Sequence, residues 1–197
     1  MPKPNSASKW RAIFSSAVPS RTPSPKPLKK NMHKYLRFGL ATVAATILSF
    51  QAHAAQLQGK VVGVSDGDTI TVLDAGLQQH RVRLTGIDAP EKRQPFGQVS
   101  KQSLANLVYG KTVTVTYDKQ DRYGRILGRI GTQDGQDANL HQIQKGMAWH
   151  YKRYERDQPK NERRDYAEAE QAAQQAKTGL WSDKNPTPPW DWRRETK

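Results

Sequence analysis

Apolar and polar side chains alternate in short runs between residues 57 and 131. LQGKVVGV (57–64), TITVL (69–73), HRVRLTGI (80–87), KTVTVTY (111–117) and residues 126–131 follow a period of two, which predicts five strands. In the third run Val82 and Leu84 fall on one face, with Arg81, Arg83 and Thr85 on the other. The turn clusters SDGD and DAGLQQ separate the first three runs. The period lengthens between Gln98 and Tyr109, where Val99, Leu104, Leu107 and Val108 approach helical spacing before Gly110. Residues 139–145 read as a short helix closed by Gly146. Residues 161–177, rich in Ala, Glu and Gln and followed by Gly179, read as a longer one. The closing NPTPPWDWRR is proline-rich and cannot continue a helix. Five strands and interspersed helices predict an α+β domain around a small closed or part-closed sheet. A five-stranded Greek-key barrel of the OB type is compatible with that order, although periodicity does not single it out.

The chain before residue 55 has a different texture. From Met32, Lys34 and Arg37 precede an almost uncharged run from Phe38 to Phe50, and Ala52-His53-Ala54 offers small residues at a peptidase spacing. That is the pattern of a secretory signal peptide over residues 32–54, and the apolar run is shorter than the ~20 residues a membrane span needs. A buried core helix is the alternative. Residues 1–31, rich in Pro, Ser and Lys, are expected to be a mis-called upstream extension. The expected organisation is an exported chain, periplasmic or secreted, with a domain over 55–184 and a Pro/Trp-rich tail over 185–197.

Charge is distributed to match. The 197-residue chain carries 32 Lys+Arg against 18 Asp+Glu, a formal net charge of +14. Nine of the basic residues and no acidic one lie before residue 55, so the remainder is only moderately basic. Bulk charge alone therefore argues weakly for a polyanionic partner. There is no cysteine, which excludes disulfides, thiolate chemistry and a Cys-based zinc site. The histidines show no metal-ligand spacing and no serine or cysteine nucleophile motif accompanies them; they read as surface or partly packed residues.

Carboxylates stand out instead. Asp66-Gly67 suits a turn, but Asp68 sits where a strand begins, a poor place for a carboxylate unless it faces something positive. Asp88 ends a strand, and Pro90 keeps Ala89 extended. Oxygens from Asp68, Asp88 and a backbone carbonyl would suit Ca²⁺ or Mg²⁺. DRYGR (121–125) also reads as a turn, yet Arg125, like Arg83, is the residue type that grips phosphate bidentately. Together, two arginines and a carboxylate-bound cation can neutralise a phosphodiester and its transition state. Glu91, left free, could take a proton from water.

DGDT, RLTGIDAPE and DRYGR, in this order and followed by GLWS at 179–182, strongly resemble the staphylococcal nuclease (thermonuclease) family, from about Gln58 to about Trp181. The resemblance implies an OB-type five-stranded barrel with three helices. It implies Ca²⁺-dependent cleavage of DNA and RNA with little sequence preference, leaving 3′-phosphate ends. It implies Asp68 and Asp88 as metal carboxylates, with the Ala89 carbonyl beside them and Asp66 in the outer shell. Arg83 and Arg125 look like the phosphate-binding arginines and Glu91 like the proposed general base. Tyr123 matches an aromatic position near the nucleotide, and Tyr151 and Tyr154 are further nucleotide-binding candidates, with packing under the long helix as the alternative. Ala89 replaces a threonine of the best-known member, and the KRQPFG loop is shorter. The expectation is a monomeric calcium-dependent nuclease. The alternative is a noncatalytic OB module binding single strands, which would need a basic groove and stacking aromatics but no metal carboxylates.

Overall fold

The computed structural model describes residues 54–196. The upstream extension and nearly all of the signal-peptide expectation lie outside the described residues. Five strands close into a barrel in the order β1 (Ala55–Asp66), β2 (Thr69–Asp74), β3 (Gln79–Leu84), β6 (Ile126–Thr132), β5 (Thr112–Gln120). Every neighbouring pair is antiparallel except β3 with β6. Long β1 pairs with both β2 and β5, and two register shifts in its β2 ladder let it coil far enough to close the sheet. Gly59 marks the tight passage, since a Cβ there would lie 2.4 Å from the Leu73 carbonyl oxygen.

The alternation read from the sequence fills the barrel. Val61, Ile70, Val72, Val82, Leu84, Val113, Val115, Ile126 and Ile130 are all buried. Helix α1 (Gly97–Val108) adds Leu104 and Val108 to this core, and α2 (Ala138–Gln144) adds Ala138 and Ile143. Asp137 caps α2, its carboxylate accepting from the Asn139 and Leu140 amides. Helix α3 (Lys160–Gln175) docks through Tyr166 and Ala173. It ends earlier than Gly179 suggested. Lys177 takes the left-handed conformation (φ 51°), and the Thr178 and Lys177 amides return to the Ala173 and Gln174 carbonyls. Gly179 instead permits a backbone contact, because a Cβ there would meet the Gly146 oxygen at 2.3 Å.

Two elements differ from the sequence reading. The third strand stops at Leu84, and Ile87–Asp88 form a separate short strand, β4, paired with β7 (Trp149–His150). Gly86 makes the break, with φ 73° and with the Gln158 side chain where a Cβ would stand. The tail forms a helix of its own, α4 (Pro189–Glu195), beyond the three expected. Proline at its first position and Asp191 in its first turn suit a helix start, so the prolines end one helix and begin another. No helix among the described residues is long and apolar enough to cross a membrane.

Candidate active site

Two chain reversals bring the carboxylates together. Asp68 lies in the turn just before β2, Arg83 lies opposite Thr69 near the end of β3, and Asp88 ends β4. The Ala89 amide donates to Asp68 Oδ2 at 2.7 Å, and the Leu84 amide to the Asp68 carbonyl at 2.8 Å. The turn before Asp68 is held from behind. Gln142, fully buried on α2, donates to the Gly67 carbonyl at 2.9 Å and to the Ser100 carbonyl at 3.1 Å. Gly67 has no room for a side chain, since a Cβ would lie 1.8 Å from Ser100 Oγ. Asp66 closes the turn, accepting from the Asp68 amide at 3.1 Å.

Arg83 sits between the two buried aspartates. Its Nη2 donates to Asp88 Oδ1 at 2.9 Å, and its Nη1 forms an ion pair with Asp68 Oδ2 without hydrogen-bond geometry. Asp88 is 1% exposed. Burial, against the pull of Arg83 and helped by the neighbouring Asp66 and Asp88, pushes the Asp68 carboxyl up to about 7.

Glu91 reaches this group through a residue the sequence reading left out. Arg193 of α4 donates from Nη1 to Glu91 Oε1 at 2.7 Å and to Asp88 Oδ1 at 3.2 Å, and from Nη2 to Asp88 Oδ2 at 2.7 Å. Gln94, also unremarked in the sequence, fixes the loop. Its Oε1 accepts from the Glu91 amide at 3.0 Å, and its Nε2 donates to the Thr187 carbonyl at 2.6 Å. Gly97 allows the loop to fold back, because a Cβ there would meet the Glu91 carbonyl oxygen at 2.0 Å.

The second expected arginine is held apart. Arg125 Nε donates to Asp121 Oδ2 at 2.7 Å, and the Arg125 and Tyr123 amides donate to Asp121 Oδ1. Among the described residues no ion pair joins Arg125 to Asp68, Asp88 or Glu91. Tyr123 is 66% exposed, with the Arg122 and Arg125 guanidinia 4.9 and 5.7 Å from its ring centre. Tyr151 and Tyr154 meet edge to face at 5.6 Å, and Tyr154 is exposed. Tyr166 of α3 is buried against His150, the two rings meeting edge to face at 5.9 Å. His150 is fully buried rather than partly packed, its Nε2 hydrogen-bonded to Gln158 Oε1 at 3.1 Å.

Oxygen donors fit a hard cation better than a transition metal, because the site holds carboxylates and main chain without Cys or His. Among the described residues no three acidic or histidine side chains form a ready-made cage. Asp68 and Asp88 would supply two ligands, and the main chain and water the rest.

Comparison with known proteins identifies a family and relatives of this chain. The sequence model of the family described as staphylococcal nuclease homologue matches residues 81–183, a span that includes Arg83, Asp88, Glu91 and Arg125. A protein of Escherichia coli named as an uncharacterized endonuclease is 46% identical over 147 residues, covering 75% of this chain and 92% of the relative. A micrococcal nuclease of Shigella flexneri is 41% identical over 166 residues, covering 80% and 92%. A Haemophilus influenzae protein, also named as an uncharacterized endonuclease, is 46% identical over 138 residues, covering 70% and 74%. With the five-stranded barrel, the ordered motifs and these relatives in agreement, the chain belongs to the staphylococcal nuclease family and is a nuclease.

Proposed function

We propose that the chain is a calcium-dependent, sugar-nonspecific endonuclease that hydrolyses DNA and RNA to 3′-phosphate products, exported to the periplasm or beyond and acting as a monomer. The observation that carries this reading is the convergence of Arg83 with Asp68 and Asp88 beside Glu91. A noncatalytic strand-binding module would have no use for buried carboxylates facing a phosphate site.

Each residue has a chemical part. Asp68 and Asp88, with the Ala89 carbonyl and with Asp66 behind, would hold the cation, and a bound calcium supplies positive charge that polarises the phosphoryl oxygens. Glu91 takes a proton from a water, whose oxygen forms the new bond to phosphorus. The bond to the 5′ oxygen breaks, that oxygen gains a proton, and the phosphate stays on the 3′ side. Arg83 offsets charge on the equatorial oxygens, and Arg125 grips the same phosphate once substrate draws it in. Tyr123, flanked by guanidinia, offers an exposed stacking face for a base.

The direct test replaces Glu91 by Gln and Arg83 by Lys. Each substitution is expected to lower turnover by about 10²-fold or more while circular dichroism stays native. Near-native cleavage by Glu91→Gln would remove the general-base assignment.

A further inference from the structure

Three residues of the tail, two in α4 and one just before it, each touch a different part of the site. Arg193 holds Asp88 through two hydrogen bonds from separate nitrogens, at 2.7 and 3.2 Å, and Glu91 through a third at 2.7 Å. Trp190, three residues earlier, lies 5.5 Å from Tyr151 with the rings tilted by only 30°, and also meets Trp149 edge to face at 6.4 Å. Thr187, just before the helix, is fastened to Gln94, the residue that positions the Glu91 loop. One segment thus covers a metal carboxylate, the base and an aromatic face.

The contacts with Asp88 compete with a cation there. Asp88 Oδ1 already accepts from Arg83 and Arg193, and Oδ2 accepts from Arg193. At 1% exposure the carboxylate has no other open side. A guanidinium and a divalent ion compete for the same lone pairs, and Arg193 also ties up the carboxylate oxygen on which a water would leave its proton. The contact is releasable from its outer side, because the Arg193 side chain is 40% exposed and Glu91 equally so. The Glu91 arm is an exposed pair and weak, whereas the Asp88 arm is buried at its carboxylate, so a cation arriving there has to replace the guanidinium's charge.

We infer that α4 is a cation-released latch: in the metal-free chain Arg193 occupies Asp88 and Glu91 while Trp190 covers Tyr151, and calcium binding expels the helix and opens the cleft to a nucleic acid strand. This inference rests on the proposed reading of Asp88 as a metal ligand and Glu91 as base.

Two readouts on the full chain separate the two ideas. Hydrogen exchange of residues 188–196 is measured in chelator and in calcium, and calcium affinity is measured by titration calorimetry for the native chain, Arg193→Ala and, as a control, Arg194→Ala. A latch predicts slow exchange in α4 without calcium and fast exchange with it. It predicts that Arg193→Ala binds calcium about tenfold more tightly, the factor removed when a site open one-tenth of the time is freed. Arg194, which pairs with Asp191 inside α4, should leave affinity unchanged when replaced. Calcium binding that leaves α4 protected, or Arg193→Ala binding calcium no more tightly, overturns the latch and spares the metal assignment. Failure of the native chain and of Arg193→Ala to bind calcium overturns both.

Discussion

The backbone amide of Ala89 donates to Asp68 Oδ2 at 2.7 Å, so the segment after β4 is fastened to the turn before β2. The two carboxylates of the site are therefore one unit, and the small residues around them are set by space. A Cβ on Gly67 would stand 1.8 Å from Ser100 Oγ and 2.8 Å from the Ala89 Cβ, and Ser100 is fully buried. Gly67→Ala should lower stability by about 1–3 kcal/mol in urea unfolding. It should also weaken calcium binding by displacing both aspartates; unaltered stability and affinity would show that the turn yields freely.

Arg83 pairs with both buried acids, and removing it strands Asp68 while Asp88 keeps Arg193. Arg83→Ala should cost about 3–5 kcal/mol of stability in chelator, the range for breaking a buried pair. Calcium should restore much of that loss, because a bound cation stabilises the folded state by mass action. Thermal melts with and without calcium test this, and a loss indifferent to calcium would contradict the placing of the ion at Asp68 and Asp88.

Asp121 is expected to act through Arg125. Burial pushes its carboxyl up, but hydrogen bonds from the Arg125 amide and side chain and from the Tyr123 amide outweigh this, leaving it below the usual carboxylate range. A depressed value means that the contribution to stability is present above the unfolded value and lost as pH falls through the folded one. The stability advantage of the native chain over Asp121→Asn should therefore shrink in acid. At neutral pH, Asp121→Ala should lower kcat/KM by roughly tenfold, a loss in keeping with a misplaced binding group, while the barrel stays folded. Unchanged kinetics would remove Asp121 as the residue that aims Arg125.

Asn139 bridges the parallel seam of the barrel. Fully buried on α2, it donates to the Thr85 carbonyl at 2.9 Å and to the Gly128 carbonyl at 3.3 Å, and it accepts from the Ile130 amide at 3.1 Å. Asn139→Ala leaves these groups unpaired and should cost about 1–3 kcal/mol. Because the seam joins β3 to β6 at Arg83 and Leu127, calorimetry should also show reduced calcium affinity.

Local pattern carried most of the fold and about half of the residues that the structure gathers at the candidate site. The barrel strands were legible because inward and outward residues alternate, as Val113 and Val115 do between Thr112, Thr114 and Thr116. The break at Gly86 was not, since its need for a glycine comes from Gln158, far along the chain. Asp68, Arg83, Asp88 and Glu91 were legible because each sits in a short motif at a strand end. Arg193 was hidden by distance, 105 residues from Asp88, in a tail without periodicity. The Pro189–Asp191 start offered a helix signal, but nothing local tells which surface such a helix meets. Gln142 and Asn139 read as ordinary polar helix residues until the barrel surrounds them.

The measurement that tests the account most directly is cleavage of end-labelled single-stranded DNA and RNA, in calcium and in chelator, with the product ends identified. The account predicts breakdown of both polymers to short 3′-phosphate products in calcium, and none in chelator. Full activity in chelator would contradict the metal site. Binding of both strands without cleavage in any divalent ion would contradict the catalytic assignment of Glu91 and Arg83.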